Sequence, residues 1–179
     1  MSLTCYDYLK ASEKRNGNFP AAIAFGCKTS LTKLMRDIDS LAGYINSIGI
    51  GDGDTVTIFL PTVIHAFTSF YALNKIGVIA NIVHPLTSPD ALKEIMITTS
   101  SKAVFILDIL DVINDCGIPC IICSNSDYVS PLMVPAFKVF EKKKSVGIDR
   151  YKNSIKYSQA LIKGHSVKTV DCHDGEKTA

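Results

Sequence analysis

The chain has 179 residues, of which 47% are hydrophobic, and its formal net charge is +2. This length suits one domain or part of a larger one, and the small charge gives no electrostatic reason to expect nucleic acid or an anionic membrane as a partner. No apolar run approaches the ~18 residues of a transmembrane helix, and no basic-then-apolar leader opens the chain. We therefore expect a cytoplasmic protein that does not span a membrane, with its six cysteines as reduced thiols.

The first elements predicted along the chain are a short strand and an amphipathic helix. Ala21 to Phe25 is an apolar run, which predicts the strand. From Leu31 to Ile48 apolar residues recur at three- and four-residue spacing, as on one face of a helix. Thr32 is a plausible N-cap, and Gly49 can end the helix in the left-handed conformation.

Strands and helices continue to alternate through the middle of the chain. TVTIFL (Thr55 to Leu60) predicts a strand, and Pro61 begins a helix. The apolar face predicted for this helix contains Ile64, Phe67, Phe70 and Tyr71. VIANIV (78–83) predicts the next strand, and Ser88-Pro89-Asp90 predicts a helix start, with a cap, a first-turn proline and an acid near the helix N-terminus.

Two more apolar runs, AVFIL (103–107) and IPCIIC (118–123), predict strands with a helix over 110–116 between them. Further helices are predicted over 134–143 and 154–162, followed by a polar tail from Asp171. Continuous apolar strands that alternate with helices are typical of a parallel sheet buried on both sides. We therefore predict an α/β fold, a mainly parallel sheet with helices on both faces.

The run CGIPCIIC places Cys116, Cys120 and Cys123 at the spacing of an iron–sulfur cluster loop. Side chains three residues apart in a strand point to opposite faces, so Cys120 and Cys123 could not hold one cluster if the run is a strand. Buried cysteine behaves as a small hydrophobic residue. We interpret these cysteines as core residues; a zinc site and an iron–sulfur site are the alternatives.

Other candidate sites also have simple structural interpretations. GIGDGD (49–54) leads from a helix into a strand, the reverse of a dinucleotide-binding loop, so we predict a turn. Four histidines are present, at His65, His84, His165 and His173, and none has a metal-ligand spacing. His84 is the most interesting, because it follows a strand at the edge where open α/β sheets bind ligands. We expect Cys172-His173-Asp174 to have no chemical role.

Three stretches, in order, resemble the start of the adenylate-forming (AMP-binding) superfamily, which includes acyl-CoA synthetases, luciferases and nonribosomal peptide adenylation domains. SLTKLMRDIDSLAGYINSIGIGDGDTVTIFLP resembles its opening helix, turn and strand. FYALNKIGVIANIVHPL resembles its second core motif, and SPDALKEIMITTSSKAVFILD its next helix and strand. The asparagine in ANIVHPL looks more like acyl-CoA synthetases than adenylation domains.

The resemblance implies a fold and a reaction. The fold would be the N-terminal part of the large domain of an adenylate-forming enzyme. The parent protein would be an AMP-forming fatty-acid or other carboxylic-acid–CoA ligase: the carboxylate attacks the α-phosphate of ATP, and CoA takes the acyl group from the acyl-adenylate. ATP, Mg²⁺ and CoA would be its cofactors and co-substrates.

The sequence departs from the family where its chemistry would begin. No serine/threonine/glycine-rich phosphate loop ending in lysine occurs in the 179 residues. We therefore expect residues 1–166 to form an N-terminal subdomain and residues 167–179 a polar tail or linker toward that loop. We expect this chain to be inactive, with no cofactor and no catalytic, cofactor-binding or metal-binding residue of its own.

Two other hypotheses follow from the residues. One is a stand-alone small α/β binding or interaction domain without enzymatic activity. The other is redox chemistry at Cys116, Cys120 and Cys123. For a piece of a larger enzyme we also expect self-association through apolar surface that the rest of the domain would cover.

Overall fold

The computed structural model describes residues 3–109, 117–130, 134–135, 153–172 and 174–176. The α-helices in these ranges are α1 (Cys5–Asn16), α2 (Leu31–Ser47), α3 (Ile64–Lys75), α4 (Pro89–Thr98) and α5 (Tyr157–Gly164). The strands are β1 (Pro20–Ala24), β2 (Cys27–Ser30), β3 (Thr55–Phe59), β4 (Ile79–Ile82), β5 (Val104–Leu107), β6 (Cys120–Cys123) and β7 (Ser154–Lys156). A 3₁₀ turn covers Asn125–Tyr128. The helix predicted over 110–116, and that over 134–143 beyond its first two residues, lie outside the described residues.

A five-stranded parallel sheet in the order β4-β3-β5-β6-β7 forms the centre of the fold. After β3 the chain passes outward to β4 and then returns to place β5 on the other side of β3. The order is therefore that of a flavodoxin-like doubly wound sheet, whose direction of winding reverses between β3 and β5. Ligands of such sheets bind outside the carboxyl ends of the strands at this reversal.

The sheet is buried on both faces, as predicted. On one face, Ile58, Phe105 and Ile121 pack in a core to which α1, α2, α3 and α5 contribute. On the other face, Phe59 and Ile106 pack against α4. Consecutive residues of a strand point into opposite cores. Both faces of the strand are therefore apolar, and polar residues do not alternate with apolar ones along it.

The first two strands form a separate antiparallel hairpin. Its turn residues Phe25 and Gly26 both have positive φ, at 50° and 77°. Two left-handed residues in a two-residue turn match the twist of the flanking strands. The predicted strand over 21–25 is thus one arm of this hairpin, and β2 was not predicted.

Three helix starts differ from their predictions. The N-cap of α2 is Ser30 rather than Thr32, since the extended Ser30 accepts a hydrogen bond from the Lys33 N–H at 3.2 Å. The helix α3 begins at Ile64 rather than Pro61, because the chain between them forms a bend. The segment from Ser154 is first strand β7, and the helix follows from Tyr157.

The apolar face predicted for α3 was also wrong in part. Phe67 is 52% exposed, and the side of the helix that faces the core carries His65, Thr68 and Ser69. Apolar residues alone could not reveal this face, because a polar cluster packs against it. By contrast, α4 begins after the Ser88 cap, as predicted, and it buries Leu92 and Met96.

The helices α2 and α5 cross at two glycines. A side chain at Gly164 would overlap the Ser40 carbonyl, and one at Gly43 would overlap the Gly164 carbonyl. The two helix backbones therefore lie too close together to leave room for a Cβ atom at either glycine.

Within the described ranges, no helix combines the length and the apolar character that crossing a membrane requires.

Candidate functional site

The carboxyl ends of the parallel strands meet at one edge of the sheet, which we call the carboxyl edge. Thr62 follows β3, His84 follows β4, Asp108 follows β5 and Ser124 follows β6. The first turn of α3 and the 3₁₀ turn lie above the same edge because each directly follows one of these strands. The topology therefore collects polar residues that lie far apart in sequence.

His65 and Asp127 form a buried pair at this edge. The imidazole Nε2 lies 3.1 Å from Asp127 Oδ2, and His65 is only 1% exposed. Asp127 Oδ2 also accepts from the backbone N–H of Ser124, which fixes the carboxylate at the start of the 3₁₀ turn. An ionised carboxylate is an acceptor, so the imidazole donates from Nε2.

Tyr128 connects this pair to the helices behind it. Its hydroxyl donates to Asp37 Oδ2 at 3.0 Å and lies 2.9 Å from the Tyr157 hydroxyl. The rings of both tyrosines meet His65 edge-on, with centroids 4.9 and 4.6 Å away. Burial raises the pKa of both tyrosines well above the usual value, so both hydroxyls stay protonated and act as hydrogen-bonding groups.

Asp108 is the second acid of the carboxyl edge. It lies at the reversal between β3 and β5, and burial raises the pKa of its carboxyl, an effect that hydrogen bonding to Ser124 opposes. Its Oδ1 is buried without a hydrogen-bond partner within the described residues. A carboxyl group with this environment is destabilised in its charged form.

His84 and His165 lie outside this cluster. His84 is exposed, and its Nδ1 accepts from the backbone N–H of Leu86 at 3.2 Å. His165 is exposed on α5's C-terminal side, with Nδ1 3.5 Å from the Ser40 hydroxyl. His173 lies outside the described residues. The sequence offered no sign that His65 is buried, because its partner Asp127 is 62 positions away.

Cys120 and Cys123 are core residues on opposite faces of the sheet. Both are buried in β6, and each belongs to a different one of the two hydrophobic cores. They therefore cannot ligate a common cluster, which agrees with the interpretation as packing residues. Cys116 lies outside the described residues, while Cys172 is half-buried and its backbone N–H donates to the Lys75 carbonyl at 2.6 Å.

The run GIGDGD is a turn, as predicted. Gly49 and Gly53 both have a φ of +81°. The N–H of Gly51 donates to the Asp54 carboxylate and that of Gly53 to the Gly77 carbonyl. These amides hold the turn itself together, so they do not form a phosphate cradle.

The described residues contain neither a preformed metal site of several ligands nor a glycine-rich phosphate loop. Among them, no group of three or more histidine, cysteine and acidic side chains could hold a metal ion. The uncapped start of α3 lies beside apolar side chains, not in a glycine-rich loop. No step of a nucleotide reaction can therefore be assigned to His65, Asp108 or their neighbours.

Known proteins are similar in sequence to part of this chain and similar in fold to nearly all of it. Acetyl-coenzyme A synthetase of Penicillium chrysogenum is 32% identical over 83 residues, which are 46% of this chain and 12% of that protein. Acetyl-coenzyme A synthetase 2 of Saccharomyces cerevisiae is 34% identical over 76 residues, 42% of this chain and 11% of the relative. The chain thus matches only about an eighth of the length of these relatives.

Solved structures match nearly the whole chain. The anthranilate CoA ligase AuaEII, in complex with anthranoyl-AMP, superposes with a TM-score of 0.69 at 11% identity. The matched region is 96% of this chain and 30% of the AuaEII chain. The Klebsiella oxytoca NpsA N-terminal subdomain, in complex with 3-hydroxybenzoyl-AMSN, has a TM-score of 0.63 at 12% identity. The matched region is 97% of this chain and 36% of the NpsA chain. At these identities the likeness establishes the fold.

A family model described as "AMP-binding enzyme" matches residues 9–156, most of the chain. The match includes the three stretches that resemble the adenylate-forming superfamily, and it extends through β6 and β7. The chain therefore belongs to the family of AMP-binding, adenylate-forming enzymes.

Proposed function

We propose that this chain is the N-terminal scaffold of an AMP-forming carboxylic-acid–CoA ligase, fatty acids included among its substrates, and that it is inactive by itself. The observation that carries the proposal is the family match over residues 9–156, together with relatives that are acetyl-coenzyme A synthetases. The share of those relatives that the chain matches, 12% in the first case, leaves room for the reaction centre elsewhere in a longer protein.

The parent enzyme would join a carboxylate to the α-phosphate of ATP, releasing pyrophosphate, and would then transfer the acyl group to the thiol of CoA. Mg²⁺ would neutralise charge on the phosphates. The residues described above would take no part in either bond-forming step. Their contribution is mechanical: the His65–Asp127 pair and the Tyr128 hydroxyl network join α2, α3, α5 and the 3₁₀ turn into one rigid edge.

The experiment is carboxylate-dependent ATP–pyrophosphate exchange, measured on the 179-residue chain and on the complete product of the gene. We expect exchange by the complete product with at least one of acetate, octanoate and benzoate, and acyl-CoA formation once CoA is added. We expect none by the 179-residue chain. Exchange by the chain alone would overturn the scaffold role, and a complete product inert toward all three acids would overturn the ligase assignment.

A further inference from the structure

A polar cleft of about 420 Å³ opens between α2 and the segment that follows α5. Its lining comes from α2, from Lys75 at the end of α3, and from residues within 165–171. The helix α3 returns the chain from the end of β3 to the start of the parallel strand β4, so Lys75 lies toward the amino ends of the strands. The cleft is therefore separate from the carboxyl edge, and its volume is within the range of small-molecule sites in proteins.

The glycine crossing of α2 and α5 fixes the two walls of this cleft. Arg36 and Ser40 are four residues apart, so they share one face of α2, and Gly164 packs directly on the Ser40 carbonyl. After Gly164 the chain turns, with the Val167 N–H donating to the Gly164 carbonyl at 3.0 Å. His165 Nδ1 lies 3.5 Å from the Ser40 hydroxyl. Backbone packing therefore holds the segment after α5 against this face of α2.

The two carboxylates that line the cleft already have cationic partners. Asp39 Oδ1 lies 2.7 Å from the Lys75 ammonium and accepts from the Tyr6 hydroxyl at 2.8 Å. Asp171 lies 3.5 Å from the Lys75 ammonium and 3.6 Å from that of Lys10. Two lysines thus balance two carboxylates, and any further cation in the lining gives the cleft a net positive charge.

Arg36 and Lys168 are these further cations, one on each wall of the cleft. Among the described residues neither side chain has an ion pair or a hydrogen bond, and the same holds for His165 Nε2. Arg36, His165 and Lys168 are all exposed, so a ligand from solution can reach them. Two cations that line one cleft without a counter-charge attract an anion.

We propose that this cleft binds a phosphate group, either as free phosphate or as a small phosphomonoester. The planar guanidinium of Arg36 can direct two parallel N–H donors at phosphate oxygens, and the Lys168 ammonium supplies a second full charge. A phosphomonoester carries about −1.5 to −2 charges at pH 7, which matches two unbalanced cations, whereas a carboxylate carries one negative charge. The proposal does not rest on the ligase function, because it uses only residues of this cleft.

Inorganic phosphate, glycerol 3-phosphate and acetate test the proposal, because they are small anions that differ in charge and bulk. Each is titrated into the purified 179-residue chain at an ionic strength of about 0.02 M, with amide shifts by NMR as the readout. We expect at least one of the two phosphates to bind with a dissociation constant of about 1 mM or tighter, and acetate to bind at least about tenfold more weakly.

The two phosphates distinguish the sources of the phosphate group. Tighter binding of glycerol 3-phosphate would support an ester as the ligand, tighter binding of inorganic phosphate would support the free ion, and equal affinities would support recognition of the phosphate group alone. Acetate that binds as tightly as phosphate would overturn the proposal, and so would the absence of binding by either phosphate at about 10 mM.

Substitutions of the two unbalanced cations locate the site. Arg36→Gln and Lys168→Gln should each weaken phosphate binding at least about fivefold, and thermal midpoints show that the variants fold. Arg15→Gln and Lys163→Gln are the matched controls, because they remove the same charges at exposed positions outside the lining, and they should change the affinity less than about twofold. An Arg36→Gln chain that binds phosphate like the parent would refute the site. An equal loss in the control variants would show that only the net charge matters, which also overturns the proposal.

Discussion

His65 and Asp127 show how one buried pair determines the geometry of the carboxyl edge. The imidazole is almost fully buried between two tyrosine rings, and its only hydrogen bond among the described residues goes to Asp127 Oδ2. The same oxygen accepts from Ser124 N–H. One carboxylate therefore fixes both the histidine and the turn after β6.

Removing that carboxylate should destabilise the fold. In Asp127→Ala the Nε2–H of His65 remains buried without an acceptor, and the 3₁₀ turn loses the hydrogen bond from the Ser124 N–H to the Asp127 carboxylate. We expect a loss of about 1–3 kcal/mol in the free energy of unfolding, measured by urea denaturation. Asp174→Ala, at an exposed position, is the control and should stay within about 0.5 kcal/mol of the parent chain. An unchanged midpoint for Asp127→Ala would show that the pair is not structural.

Asp108 should make stability depend on pH. Burial raises the pKa of its carboxyl in the folded state, so the folded chain holds this proton at a pH where the unfolded chain has released it. The contribution of Asp108 to stability is then greatest at low pH and is lost as pH rises from the ordinary carboxyl range through the raised pKa. Asp108→Asn should remove this loss.

The measurement is the thermal midpoint of both chains between about pH 4 and pH 8. We expect the thermal midpoint of Asp108→Asn to rise relative to that of the parent chain as pH rises. The difference between the two midpoints should level off above the raised pKa of Asp108. A difference that stays constant over the whole range would contradict the assigned pKa direction, whatever its sign.

At the scale of elements, the crossing of α2 and α5 depends on its glycines. An added methyl at Gly164 has no room beside the Ser40 carbonyl and the Tyr44 N–H, both of them backbone atoms that cannot rotate away. We expect Gly164→Ala to cost at least about 2 kcal/mol of stability. Gly51→Ala is the matched control, because the nearest atom to its Cβ is the Asn46 amide at 3.8 Å. Equal midpoints in urea for the two variants would contradict the close crossing.

The elements that could be predicted from sequence are those with a strong local signal. The helices α2 and α4 have regular apolar repeats, α4 also has an identifiable start, and the central strands β3, β5 and β6 are continuous apolar runs. By contrast, α1 has a single buried residue, Tyr6, so its sequence shows no apolar face. The short strands β2 (CKTS) and β7 (SIK) are polar, and only pairing with distant strands makes them strands.

The candidate site was less predictable than the fold. The sequence predicts where β3, β5 and β6 end, and ligands are expected to bind near the carboxyl ends of such strands. The contact between His65 and Asp127 depends on the order of the strands and on a turn that no motif predicts. His84 attracted attention because it follows a strand directly, yet β4 is at the edge of the sheet and leaves that histidine exposed.

At the scale of the whole molecule, we expect self-association through the β4 side of the sheet. Among the described strands β4 pairs only with β3, and near it Ile82 and Leu86 are 66% and 86% exposed. Unpaired strand edges with apolar side chains attract further chains. We expect concentration-dependent dimers by size-exclusion chromatography with light scattering.

Charged substitutions should locate that contact. Ile82→Lys together with Leu86→Lys should shift the chain to monomer, whereas Ile162→Lys, at a position 76% exposed on α5, should not. A parent chain that remains monomeric at the highest soluble concentration would contradict the prediction.

The central claim is that this scaffold belongs to a carboxylic-acid–CoA ligase whose reaction centre lies in further sequence. The most direct measurement is to sequence the transcript past Ala179. The account predicts that the frame, or an adjoining exon, continues into a serine/threonine/glycine-rich loop that ends in lysine. A stop codon directly after Ala179, with no such loop in any neighbouring frame, would contradict it and would make a stand-alone binding domain the better account of this chain.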